Sequence, residues 1–310
     1  MPSSKTARAE WVGMKSRPNP GGQTSDLAFA LWLTLPVLLF LCLVVLYPLL
    51  YAAWMSLNRI EFLGRTLWTF VALENYRRVF ADPAFFRGLL ISMRFTVESV
   101  ILTLGLGLAF ACALNSVRGS GFLRGIVIIP WALSPYAVGV LFQYLGAGQT
   151  GIGTALVNSL GSDRSVNLIT RDWVVEYLSI GNAWNLAPLV TFFLVASMTT
   201  IPRRLYDLAR IDGLTPFQTF LTVTLPPLKF TLFVFGSIVT VLSLKNFDFI
   251  FTLGRGGPAN ASATLTYEVF KTSFQELDLG YGAAMSFCLL ALVIGSTMAL
   301  QWTVGRRVNG

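Results

Sequence analysis

The sequence predicts an all-α polytopic membrane protein with six transmembrane helices, and three observations lead there. Of 310 residues, 54% are hydrophobic and 12% charged, and the mean hydropathy is +0.64; a water-soluble domain carries roughly 25% charged residues. Cutting the chain at its charges leaves apolar blocks near 29–57, 88–114, 125–146, 177–200, 228–251 and 281–304. A bilayer crossing takes about 20 such residues, so six use about 120 to 150 and leave only tails and short connections. Backbone groups in lipid must bond internally, which makes each block a helix.

Residues 1–26 are polar and rich in Pro, Gly and Ser, with Lys5, Arg8, Lys15 and Arg17, and read as a disordered cytosolic tail. The 32 uncharged positions Leu27–Asn58 exceed a signal-peptide core and lack a small-residue cleavage site, which predicts a retained first span. The second block contains Arg94 and Glu98, spaced to pair on one helix face. Its Gly105, Ala109 and Ala113 form a small-residue ridge expected to be a packing face. Pro130 and Pro135 bend the third span. The fifth holds Lys245 and Asp248 within one turn near its outer end. The six-span domain covers 27–305, and 306–310 is a short cytosolic end. With both termini inside, the inner segments carry twelve basic and four acidic residues, a net of +8 that equals the whole formal charge of the chain. Basic residues mark the cytosolic face, so this charge specifies orientation in a lipid bilayer; no basic patch with interleaved aromatics points to nucleic acid.

Several chemistries are excluded. There is no histidine, so histidine-based triads, metal sites and proton relays are absent. Cys42, Cys112 and Cys288 each lie in an apolar run and read as packing residues. No glycine-rich phosphate loop exists, so the chain holds no ATP. Catalytic, cofactor and metal sites are therefore not expected. What remains for polar groups inside spans is contact with a solute or with another helix. Asn182, Asn185 and Leu189 are spaced i, i+3, i+7 on the fourth span; Val239, Ser243, Asn246 and Ile250 are spaced i, i+4, i+7, i+11 on the fifth. Each set forms one helix stripe, and amides and hydroxyls match the mixed donors and acceptors of a sugar.

Between those spans, residues 201–227 predict two short helices. Pro202 opens the first, which carries Leu205, Leu208, Ala209 and Asp212 on one face and stops at Gly213. Thr215-Pro216-Phe217-Gln218 has the form of a capping box that starts the second, and Pro226-Pro227 is expected to end it before the next span.

This loop resembles the permease subunits of ABC importers, whose signature runs Glu-Ala-Ala, three residues, Gly, nine residues, Ile-x-Leu-Pro. Here Asp207-Leu208-Ala209, Gly213 and Val223-Thr224-Leu225-Pro226 keep every spacing. They depart from it in Asp for Glu, Leu208 for the first Ala, and Val for Ile. Glu74-Asn-Tyr76, Asp82-Pro-Ala-Phe85, Asn246-Phe-Asp-Phe and Gly280-Tyr-Gly-Ala-Ala284 extend the resemblance to the maltose-type, carbohydrate branch over most of 27–305. The resemblance implies a bacterial cytoplasmic membrane protein with four kinds of contact: a second homologous permease, two ATPase subunits that bind ATP and Mg, an extracytoplasmic solute-binding protein, and lipid. It places Asp207, Leu208, Ala209, Asp212 and Gly213 against an ATPase. It also runs the solute path along the two stripes, through Asn182, Asn185, Leu189, Ser243 and Asn246. Segments 147–175 and 253–278 offer a docking surface, with Arg171, Asp172 and Trp173 as contacts. The alternative is a single-chain secondary transporter, which would need inverted repeats and a midplane carboxylate cluster, and neither is found. A membrane enzyme is disfavoured by the residues already excluded.

Overall fold

The computed structural model describes residues 22–62, 65–117, 121–148, 151–161 and 167–308. The chain divides into two compact units, Met1–Trp54 and Met55–Gly310. In the first, α1 (Gly22–Leu41) passes through a π turn at Cys42–Leu46 into α2 (Tyr47–Ser56). Side chains from Ala28 to Tyr51 are exposed and mostly apolar, as a lipid-facing helix requires. Of the expected tail, residues 1–21 lie outside the described residues. Its last five, Gly22–Asp26, are already helical, because helix continued past the apolar block keeps the backbone internally bonded.

The second unit opens with a hairpin that the all-helical expectation lacked: β1 (Asn58–Phe62) pairs antiparallel with β2 (Thr66–Phe70), Asn58 opposite Phe70 and Ile60 opposite Trp68. Next come α3 (Glu74–Ala81) and α4 (Pro83–Ser116). Helix α4 starts five residues before the apolar block because Asp82 caps it, its Oδ1 accepting from the Ala84 N–H at 2.8 Å, with Pro83 at the first position. The motifs around these helices meet in space. Asn75 donates to the carbonyls of Ser56 and Asn58 at 2.9 and 3.0 Å. A side chain at Gly280 would strike the Asn58 carbonyl. Tyr281 donates to Asp82 at 2.7 Å, while Arg78 pairs with Asp278 at 3.0 Å.

The third apolar block is a broken pair, α5 (Gly121–Ala132) and α6 (Pro135–Gly146), bent by 94°, as the two prolines predict. A short helix α7 (Ile152–Ser159) leads to α8 (Val174–Thr199), the central element, with 72% of its apolar stretch buried within the chain. Helix α4 lies against it at Gly107, where a Cβ would fall 2.7 Å from Val190 Cγ1. The packing face of α4 is therefore Thr103, Gly107, Ala111 and Leu114, all buried. The ridge expected to pack, Gly105, Ala109 and Ala113, is exposed; the two rows are two positions apart, opposite sides of a helix turn. Near the start of α8, Arg94 pairs with Glu98 at 2.9 Å, as predicted, and also with Glu176. Ser179 donates to Glu98 at 3.0 Å, so the charges are shared between two helices.

After α9 (Arg203–Ile211) comes α10 (Pro216–Thr219), which does not stop at Pro226-Pro227. A π turn at Phe220–Thr224, closed by the Leu225 N–H on the Phe220 carbonyl, carries it into α11 (Leu225–Leu244), whose first positions take the prolines. Proline lacks an N–H to lose there, so the expected break does not occur. The real break is later: residues 245–247 separate α11 from α12 (Asp248–Gly254). The continuous fifth span to 251 is thereby corrected. Last come α13 (Leu265–Phe270), a π turn at Lys271–Gln275, and α14 (Leu279–Val308). Among the described residues five helices are long and apolar enough to cross a membrane, six if the bent pair is one span.

Candidate functional site

Small residues let two segments, α6 and α12, converge on α8 at Gly181. Gly181 admits the rings of Phe249 and Phe142, which stand 6.0 Å apart edge to face. Gly139 on α6 admits Thr252 of α12. A buried apolar cluster containing Phe142, Leu178, Phe249 and Ile250 thus holds α6, α8 and α12 together. At its edge three residues of the two sequence stripes form a polar chain. Asn246 Nδ2 donates to Asn182 Oδ1 at 3.0 Å, and Asn182 Nδ2 donates to Ser243 Oγ at 2.9 Å. The Phe249 N–H caps Asn246 Oδ1 at 3.4 Å. Asn182 and Ser243 are buried, 3% and 1% exposed, where an unbonded amide would cost about 1 to 3 kcal/mol. Each amide keeps a second N–H unused by these bonds.

The predicted stripe on the fifth span is not one helix face. Helix α11 ends at Leu244, and Asn246 sits in the break, held by its own N–H on the Ser243 carbonyl at 3.1 Å. Val239 and Ile250 are buried core residues in separate clusters. Leu189 packs against the cluster around Val190 and Val239, so it is not gathered with the amides. Asn185 is only 6% exposed and serves the bend. Its Nδ2 donates to the carbonyls of Pro130 at 2.6 Å and Leu133 at 3.2 Å. Those carbonyls belong to the end of α5, where a helix leaves its last acceptors without internal partners.

A cavity of about 290 Å³ opens beside this chain, bordered by Asn182, Asn185, Asn246, Phe247, Lys245 and Asp248. The sequence had placed Lys245 and Asp248 together as one turn of helix. The break instead puts Lys245 at the C-terminal cap of α11 and Asp248 in the first turn of α12, ends whose backbone partial charges favour a cation and an anion respectively. Among the described residues neither forms an ion pair. Charged residues inside a span were the signal that could have marked them as cavity residues. No group of three or more His, Cys, Asp or Glu capable of holding a metal occurs among the described residues.

The second candidate surface is the 201–227 loop. Pro202 stands as the cap of α9 rather than its first residue. The helix ends in a paired C-terminal lock: Gly213, at φ +71°, donates to the Arg210 carbonyl at 3.2 Å, and Leu214 donates to Ala209 at 3.0 Å. Thr215 and Gln218 form the predicted reciprocal cap. Tyr206 and Thr224 join the two ends of the loop by a 3.2 Å hydroxyl bond. Leu208, Ile211 and Phe217 are 43%, 80% and 69% exposed, and Asp207, Asp212 and Gly213 are exposed as well. Ala209 departs from expectation: it is 3% exposed, a packing residue turned into the chain and not offered to a partner. Of the other expected contacts, Trp173 is 63% exposed, and residues 149–150 and 162–166 lie outside the described residues.

Residues 101–309 match the family model described as the binding-protein-dependent transport system inner membrane component. The chain is 32% identical over 275 residues to the trehalose/maltose transport system permease protein MalF of Thermococcus litoralis, covering 88% of this chain and 92% of that one. It is 28% identical to the sulfoquinovosyl glycerol transport system permease protein SmoG of Agrobacterium fabrum, with 86% and 87% covered. It is 31% identical to the sn-glycerol-3-phosphate transport system permease protein UgpA of Brucella abortus, with 78% and 83% covered. Its fold matches a bacterial ABC transporter involved in import of the acidic polysaccharide alginate, with a TM-score of 0.77 at 18% identity over 92% of this chain and 96% of the other. With two thirds of its length in the family model and a 32% identical relative aligned nearly end to end, the chain belongs to the binding-protein-dependent transport system inner membrane components.

Proposed function

We propose that this permease carries a saccharide or related polyol across the cytoplasmic membrane, and that the solute passes the amide chain Asn246, Asn182 and Ser243. The observation that carries this reading is the position of that chain, at the break that follows the fifth span, with Asn182 and Asn246 on the wall of a cavity and Ser243 bonded behind them. Amide N–H groups left over from the helix contacts meet sugar hydroxyls as donors, and multiple weak bonds let the solute leave again. Asn185 acts one step back, fixing the bend of the third crossing that frames the cavity.

The lever is the 201–227 loop. Its exposed face, with Asp207, Leu208, Asp212 and Gly213, docks on an ATPase subunit that holds ATP and Mg, while buried Ala209 keeps α9 seated on the permease body. Both termini and this loop face the cytosol, in keeping with the excess of basic residues there. A second, homologous permease completes the path, and an extracytoplasmic binding protein delivers the solute at the other face. Force from nucleotide-driven closure of the ATPases thus enters through a short, doubly capped elbow.

The test is reconstitution in vesicles. The chain alone is expected to carry nothing. The assembly with both ATPases, the second permease and the binding protein is expected to take up a labelled saccharide in a vanadate-sensitive manner, and Asn246→Ala to raise its KM severalfold. Uptake by the chain alone, driven by an ion gradient, would refute the reading.

A further inference from the structure

The relatives carry both neutral and anionic solutes by name, and the cavity beside the amide chain bears on which class this chain takes. Its border holds one ammonium, Lys245, and one carboxylate, Asp248, both exposed and neither ion-paired among the described residues. Lys245 and Asp248 follow closely on Leu244, the last residue of the fifth apolar span, and border the cavity from its two flanking helices. Helix ends stabilise each in place, the cation at the C-terminus of α11 and the anion at the N-terminus of α12. Neither charge therefore needs the other, and both remain available to a solute.

We infer that Lys245 and Asp248 are specificity-determining residues that select neutral polyols over their phosphate or sulfonate esters; this rests on the saccharide reading above. A carboxylate accepts from two hydroxyls, and an ammonium and the spare amide N–H groups of Asn182 and Asn246 donate to others. Together they match adjacent hydroxyls of a sugar, which are donors and acceptors at once. The pair sums to zero charge. An ester dianion drawn to Lys245 is brought toward Asp248 as well, and like charges placed together repel. A lysine without the carboxylate would invite the ester, and the carboxylate without the lysine would leave a bare negative charge.

The experiment uses the complete importer in vesicles, first with a panel of neutral saccharides and polyols, then with the best-carried compound and its phosphate ester, for example trehalose and trehalose 6-phosphate. The unaltered complex is expected to prefer the neutral compound. Asp248→Asn is expected to raise the ester-to-neutral ratio of kcat/KM by about tenfold, and Lys245→Met to lower it. Asp248→Glu should keep the original ratio, which separates a charge effect from disturbed folding. An unchanged ratio in Asp248→Asn, or a preference of the unaltered complex for the ester, overturns the proposal while leaving saccharide transport standing. Failure to carry any neutral compound overturns the saccharide reading and the proposal with it.

Discussion

Replacing Asn185 by leucine, which has nearly the same shape, removes both hydrogen bonds that close the bend between α5 and α6 while keeping the space filled. The Pro130 carbonyl retains a second donor, the Leu133 N–H at 3.3 Å, whereas the Leu133 carbonyl loses the one side-chain donor placed on it. Two part-buried hydrogen bonds are lost, which at about 1 kcal/mol each costs about 2 kcal/mol. For a domain of this size that lowers the melting temperature by about 4 to 8 °C. A thiol-reactive dye reads the transition, since Cys112 and Cys288 are half-buried and Cys42 alone is exposed; melts of the purified complex in detergent would show a weak early signal and a late main one. The uptake KM should change little below the transition, because the amide hydrogens of Asn185 are already engaged. A leucine variant that melts like the parent but loses solute affinity would refute the reasoning and return Asn185 to the solute path.

Three further outcomes follow from the same geometry. Gly213→Ala should cost about 1 to 2 kcal/mol of local backbone strain at φ +71° and reduce coupled transport, while Gly213→Pro, which cannot adopt that angle, should abolish uptake with the protein still in the membrane; parallel uptake and membrane-abundance assays check this. Gly107→Ala drives a methyl into Val190 and should destabilise by about 1 to 3 kcal/mol, read as a lower melting temperature, with Val190→Ala in the same chain restoring part of the loss. Burial holds the Glu268 carboxyl above the ordinary carboxylate range, against the pull of Lys271 and Arg87. Its ionisation therefore penalises the folded state as pH rises through the raised value, so Glu268→Gln should melt higher than the parent at neutral pH and converge with it as pH falls through the ordinary carboxylate range.

The spans were legible because lipid imposes one rule on every backbone group, and charge gaps alone locate where that rule applies. The bend at Pro130 and Pro135 and the lock at Gly213 were legible too, since each depends on residues adjacent in sequence, whereas the cap at Asp82 was not read. The end of α11 was not. Leu244-Lys-Asn-Phe-Asp248 contains no glycine or proline to announce a break, and its charges sit at spacing that a helix would also accept. Pro226-Pro227 misled in the opposite sense, because a π turn upstream absorbs what the prolines lack. The hairpin at 58–70 was hidden in a stretch too polar to be a span and too short for alternation to stand out. At the site, Asn182, Ser243 and Asn246 were found by helical spacing although Asn246 is not on the helix; a turn of backbone past Ser243 leaves its side chain within reach of Asn182 all the same. Leu189 and Asn185 shared that spacing but are claimed by neighbours in three dimensions, one by a packed cluster and one by the carbonyls of a bend, and no one-dimensional pattern reveals such competition.

The amide of Asn182 grips two pieces of chain at once, the last turn of one helix through Ser243 and the unwound link through Asn246. Sliding either piece away strands donors and acceptors on both sides of the contact. A single side chain thus ties the unwound link and the helix before it to α8 as one body.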